Sequence, residues 1–124
     1  MSAFFGGAGA LLGFLSVALG AFAAHALKGR LAAHLVDVFE TAVRYQMVHA
    51  LALLVVALLL RQLPSGGGAT LASGWAFLAG TAIFSGTLYL YVATGARWLG
   101  MITPLGGVTL LAGWVCLFIS FVRA

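Results

Sequence analysis

Four long apolar runs decide what this chain can fold into. Each approaches or exceeds the roughly 20 residues that a helix needs to cross a hydrocarbon core. They lie at about Ala3 to Ala24, Thr41 to Leu60, Leu71 to Ala93 and Thr103 to Phe121. The first carries no charge, the second is bounded by Arg61, and the fourth is closed by Arg123. Only 6% of the residues are charged and 64% are hydrophobic, with a mean hydropathy of +1.17. A soluble domain carries roughly 25% charged residues, and a 124-residue soluble fold could not hide so much apolar surface. Lipid is the consistent solvent. The expected fold is all-α: one domain, residues 1–124, built as an integral membrane bundle of four transmembrane helices.

The charge pattern excludes some partners. A formal charge of +4 and a pI near 10.0 would suit nucleic acid, but the six Lys and Arg are scattered singly between apolar runs, with no basic face or arm. No nucleic acid is expected. Cys116 is the one cysteine and reads as a small apolar residue. The AFA at 21 to 23 resembles a signal-peptidase site, but no Lys or Arg precedes the first run. That run also exceeds the roughly 7–15 residues of a signal core, so the expectation is a retained span.

The connectors differ in kind. PSGGG at 64 to 68 and TGARWLG at 94 to 100 read as tight turns. In TPLGG, Thr103 is placed to cap the fourth helix, with Pro104 at its first position. The first connector, residues 25 to 40, reads as an amphipathic helix at the membrane surface. Arg30, His34, Asp37, Thr41 and Arg44 fall on one face, and Leu31, Leu35, Val38 and Ala42 on another. A plain extension of the second span is the alternative. Lys28, Arg30, Arg44 and Arg97 flank one side and Arg61 and Arg123 the other, which puts this connector in the cytoplasm and both termini outside.

Small residues recur where helices should meet. Gly6, Gly9, Gly13, Ser16, Gly20 and Ala23 form a stripe on the first span, and Gly106, Thr109 and Gly113 a shorter one on the fourth. Helices in lipid associate by close backbone approach, so these stripes predict packing within the bundle or between copies. Trp75, Trp98, Tyr89 and Tyr91 lie near span ends and read as interface anchors. Trp114 lies deeper, as a packing residue.

One stretch needs a separate explanation. FETAVRYQMVHALALL at 39 to 54 places Glu40, Arg44, Tyr45, Gln46 and His49 at the mouth of an apolar run. Glu40 and Arg44 are spaced for a helical ion pair. His49 lies roughly 13 Å along the helix from Glu40, well inside the bilayer. Buried charge in lipid is costly and is met by pairing, snorkelling or a cavity. A carboxylate can carry a proton or hold a cation, and an arginine can neutralise it. A neutral imidazole can relay a proton or ligate a metal. Tyr45, Gln46 and, from the third span, Ser85, Thr87 and Tyr89 could complete the hydrogen bonds. The plainer alternative is a structural clamp.

His25 ends the first span, but its depth differs from that of His49, and no Cys/His spacing resembles a metal site. No nucleophile elbow, phosphate loop or paired-carboxylate motif is present. No metal, cofactor or enzymatic activity is expected.

Five motifs occur in one order: GAFAAHALK at 20 to 28, YQMVHALALL at 45 to 54, FSGTLYLY at 84 to 91, ITPLGG at 102 to 107 and LAGW at 111 to 114. Together they resemble the domain of unknown function 423 family, small four-span proteins that include bacterial inner-membrane members and transmembrane protein 256. The resemblance covers nearly the whole chain. Ala23 replaces an expected glycine and Thr87 a commoner serine, both small-for-small. It implies a helical protein of the bacterial inner membrane and no particular activity. It singles out His25, Tyr45, Gln46, His49, Ser85, Gly86, Tyr89, Thr103, Pro104 and Gly107 as a shared site or a shared packing scheme.

The expected function is that of a non-enzymatic binding or assembly protein in the lipid bilayer, with a homo-oligomer or another membrane protein as partner. The alternative is a minimal proton, ion or small-solute transporter or channel acting as an oligomer, with His49 and Glu40 as its ionisable elements. A lipid- or quinone-associated accessory subunit is a third class.

Overall fold

A chain in hydrocarbon must satisfy every backbone N–H and C=O internally, and consecutive apolar runs do so as helices. The computed structural model describes residues 1–63 and 67–123 and is built of four long helices. They are α1 (Ser2–Phe22), α2 (Ala33–Gln62), α3 (Gly68–Thr94) and α4 (Leu99–Arg123). All four are long and apolar enough to cross a membrane. Neighbours in sequence are neighbours in space: α1 packs on α2, α2 on α3, and α3 on α4. Large side chains such as Phe14, Leu111 and Phe118 point outward, as lipid permits.

The expected amphipathic connector does not form. A π-helical turn, Ala23–Leu27, continues directly from α1, and only residues 28 to 32 separate it from α2. Gly29 takes the left-handed φ of +86° that reverses the chain. From Ala33 to Leu63 there is no Gly or Pro to stop a helix. The polar face of His34, Asp37, Thr41 and Arg44 therefore belongs to the first turns of α2 itself. The turn predicted at 64 to 68 falls partly on residues 64–66, which lie outside the described residues.

The α3–α4 turn is tighter than the sequence suggests. Gly95 adopts φ +71° and its N–H closes on the Tyr91 carbonyl at 2.8 Å, ending α3. Helix α4 then starts at Leu99, so Pro104 lies inside it and Thr103 does not cap it. Pro104 is the sixth residue of α4, beyond the first four N–H groups that have no helical partner, so it deprives the Gly100 carbonyl of its usual i+4 donor close to the helix start. Thr103 Oγ1 donates instead to the Leu99 carbonyl (3.1 Å) and pairs with Thr87 Oγ1 on α3 (2.6 Å).

The core draws on all four helices and depends on aromatic rings set against glycines. Phe5, Leu53, Val56, Phe77, Leu110 and Leu117 meet at its centre. A Cβ on Gly74 would lie 2.7 Å from the Phe5 ring, and one on Gly113 2.8 Å from Phe77. The stripe of α1 faces α2: a Cβ on Gly9 would lie 2.8 Å from the Ala50 carbonyl oxygen, and Gly13 and Gly20 lie against Ala50 and Val43. Ser16, on the same face, is buried and donates to the Leu12 carbonyl at 2.8 Å. On α4, a Cβ at Gly106 would fall 2.5 Å from the Phe84 backbone nitrogen. At Gly9, Gly74, Gly106 and Gly113 these separations fall inside van der Waals contact, so only hydrogen fits there, whereas a Cβ on Gly13 or Gly20 would make ordinary contact.

Candidate functional site

Helix α2 carries the polar residues, and its neighbours supply their partners. Gln46 is buried and bridges three helices. Its Nε2 donates to the Leu12 carbonyl of α1 at 2.9 Å, and its Oε1 accepts from Tyr89 Oη of α3 at 2.7 Å. The amide orientation follows from Leu12, since a carbonyl cannot face the amide oxygen without repulsion. One turn earlier on α2, the Ala42 carbonyl accepts from Ser85 Oγ of α3 at 2.7 Å. This set forms a polar clasp across α1, α2 and α3.

His49 forms a second clasp, with α4. Trp114 Nε1 donates to His49 Nε2 at 3.0 Å, and His49 Nδ1 lies 2.6 Å from the Tyr45 carbonyl. Indole N–H can only donate, so Nε2 must be the accepting nitrogen. The proton then sits on Nδ1 and points at the Tyr45 carbonyl. Both ring nitrogens are in use, and a proton added to Nε2 would face the indole N–H. The ring also packs on Phe77 and Trp114, at centroid distances of 5.6 and 5.8 Å. This arrangement suits a neutral structural imidazole better than a relay or a metal ligand.

The remaining predicted residues are placed elsewhere. The Glu40–Arg44 pair expected from spacing is replaced by another: Lys28 Nζ lies 3.7 Å from Glu40 Oε1. The turn at Gly29 brings Lys28 back over the start of α2, while Arg44 is exposed, leaving its long stem free to reach the headgroups. Tyr45 is 41% exposed and stacks on Phe84 at 4.4 Å. His25 is exposed in the π-helical turn and joins neither clasp. Tyr89, read both as an interface anchor and as a hydrogen-bonding partner of the polar residues on α2, bonds to Gln46 and packs on Phe39 at 5.1 Å. Among the described residues no group of three or more His, Cys, Asp or Glu converges.

Three participants had no sequence signal strong enough to name them. The Leu12 acceptor is a backbone carbonyl. Trp114 lies 65 residues from His49; it packs on Phe77 at 5.0 Å, as its depth suggested, while remaining 42% exposed. Thr81 is buried, and its Oγ1 has no hydrogen-bond partner among the described residues. Two openings flank the clasps. A crevice of about 160 Å³ between α1 and α3 is lined by Gln46, Thr81, Ser85 and Tyr89 among apolar residues. A groove of about 370 Å³ between α2 and α4 is lined by Tyr45, His49, Phe84 and Trp114 beside Pro104 and Gly107.

Comparison with known proteins agrees with this architecture. Residues 19–107 match the family described as "Protein of unknown function (DUF423)". The UPF0382 membrane protein YwdK of Bacillus subtilis (strain 168) is 44% identical over 115 residues, covering 93% of each chain. The UPF0382 membrane protein SAB0533 of Staphylococcus aureus (strain bovine RF122 / ET3-1) is 41% identical over 116 residues, covering 90% of this chain and 89% of that protein. The UPF0382 membrane protein SH2409 of Staphylococcus haemolyticus (strain JCSC1435) is likewise 41% identical over 116 residues. No solved structure matches the chain. With a family match over most of its length and membrane-protein relatives near 40% identity, the chain belongs to the DUF423 family of membrane proteins.

Proposed function

We propose that this protein is a non-enzymatic binding or assembly protein of the bacterial inner membrane, with both termini outside and the α1–α2 turn in the cytoplasm. The observation that carries this reading is the state of the polar residues on α2. Gln46 and His49 are bonded to neighbouring helices, so their arrangement favours a rigid scaffold over a moving gate. What the scaffold offers to its surroundings is concave apolar surface, above all the aromatic groove between α2 and α4. Proton or ion transport is the weaker reading, because His49 has neither ring nitrogen free and Glu40 lies beside Lys28 at the chain turn, away from His49.

Co-purification in mild detergent tests the proposal. The expected result is a stoichiometric partner, a homo-oligomer or a retained lipid-soluble molecule. A monomer carrying nothing, together with flux through proteoliposomes that disappears in His49→Leu and Glu40→Gln variants, would overturn it in favour of transport.

A further inference from the structure

We propose that the crevice between α1 and α3 binds the head of a lipid-soluble quinone, with Thr81 and Gln46 donating hydrogen bonds to one of its ring carbonyls. The proposal rests on the binding half of the reading above and names its ligand.

The argument starts from an unfinished set of hydrogen bonds. Among the described residues, six other hydroxyls bond back to the carbonyl four residues earlier: Ser16, Thr41, Thr87, Thr94, Thr103 and Thr109. That is the ordinary resting place of a helical Ser or Thr. Thr81, only 4% exposed, makes no such bond and lines the crevice instead. A buried hydroxyl without a partner is unfavourable, the more so in hydrocarbon. Gln46 has a second spare donor, since Nε2 carries two N–H groups and spends one on Leu12.

The helix register brings these two donors to one level. Helices α2 and α3 are antiparallel, and Ser85 bonds to the Ala42 carbonyl. Four residues along α2 from Ala42 is Gln46, and four residues back along α3 from Ser85 is Thr81. Both side chains line the same crevice. Two donors at one depth suit a single oxygen with two lone pairs.

The walls define the rest of the ligand. They are apolar, with Leu12, Leu78, Ala82 and Gly86 beside the polar groups, and no Lys or Arg among the lining residues. An anionic headgroup would have no counter-charge there. The volume of about 160 Å³ is close to that of an apolar cavity of about 150 Å³ that takes up benzene, so a single six-membered ring fits. Ala82 is exposed on the lipid-facing side, and a Cβ on Gly86 would meet nothing within 4 Å. The crevice is therefore open to hydrocarbon, the phase in which a quinone and its tail are dissolved. Water meets the donors less well, because the same opening faces a phase that holds little of it.

Titration of the full chain in detergent with decylubiquinone, followed by thermal unfolding and tryptophan quenching, tests the proposal. Wild type should show a saturable rise in Tm. Thr81→Val, which keeps shape and removes the hydroxyl, should fold and bind roughly five- to tenfold more weakly, the loss of about one hydrogen bond. Gly86→Phe, whose ring has room in the crevice, should abolish binding without lowering the unliganded Tm. Phenyldecane, with ring and tail but no carbonyl, should give no comparable shift. Equal affinity in Thr81→Val, an equal response to phenyldecane, or no saturable binding by wild type would each overturn the assignment. The last outcome would leave a protein partner or homo-oligomer, and hence the assembly reading, standing.

Discussion

The two clasps on α2 lie three residues apart and differ in one respect. At His49 every polar atom has a partner: Trp114 supplies the donor, the Tyr45 carbonyl supplies the acceptor, and aromatic rings close the surroundings. At Gln46 the helices are also joined, but one amide N–H and the Thr81 hydroxyl are left over beside a crevice. In lipid, where no solvent completes unfinished bonds, the first arrangement is a fastener and the second a fastener with spare capacity. Polar residues in a span therefore cannot be sorted into structure or function by type. The count of unused donors and acceptors separates them.

Substitutions should break this comparison in a definite order. The largest effect belongs to Gly106→Val, because even a Cβ would press on the Phe84 backbone and α4 would have to move. A loss of about 3 kcal/mol is expected from such overpacking. It should part Trp114 from His49 and leave the Gln46 clasp joined, visible as a shift in Trp114 emission with α1–α3 crosslinking unchanged. Next comes Gln46→Leu, at about 2 kcal/mol in SDS-titrated unfolding, since it strands the Tyr89 hydroxyl and uncouples α1 from α3. His49→Leu should cost about 1 kcal/mol, near the middle of what interhelical bonds contribute in membranes. Its Trp114 emission should change while the Gln46 clasp stays intact. Glu40→Gln should move stability by less than about 0.5 kcal/mol, because its partner Lys28 is exposed and the pair is loose. A loss at Glu40 as large as that at Gln46 would mean that the surface pair, rather than the clasp, holds the connector.

Much of this was legible in the sequence, and the failures share a cause. The four helices follow from run length, and the small-residue stripes of α1 and α4 name faces that meet α2 and α3. Gln46, His49, Ser85 and Tyr89 stand out because polar groups in lipid need partners. Their partners do not stand out. Leu12 contributes only a backbone carbonyl, and Trp114 becomes a donor only once α4 is folded against α3. The Glu40–Arg44 spacing is correct for a helix, yet a residue across the Gly29 turn takes the carboxylate, which local periodicity cannot foresee. The separate connector helix failed because amphipathic spacing persists across a helix whether or not the helix breaks, and nothing between Ala33 and Leu63 breaks it. Thr81 carries no sequence signal that sets it apart from the other small residues of the third span. Only the register of α3 against α2 shows that its hydroxyl is unspent.

The central claim, that the polar side chains of α2 act first as interhelical fasteners, is tested most directly by a double-mutant cycle on Gln46→Leu and Tyr89→Phe in SDS-titrated unfolding. The account predicts a coupling energy of about 0.6 kcal/mol or above, where such bonds average about 0.6 and reach about 1.7 kcal/mol. Each single variant should be less stable than wild type. Strictly additive effects, or single variants as stable as wild type, would contradict it and would show that the Gln46–Tyr89 contact fastens nothing.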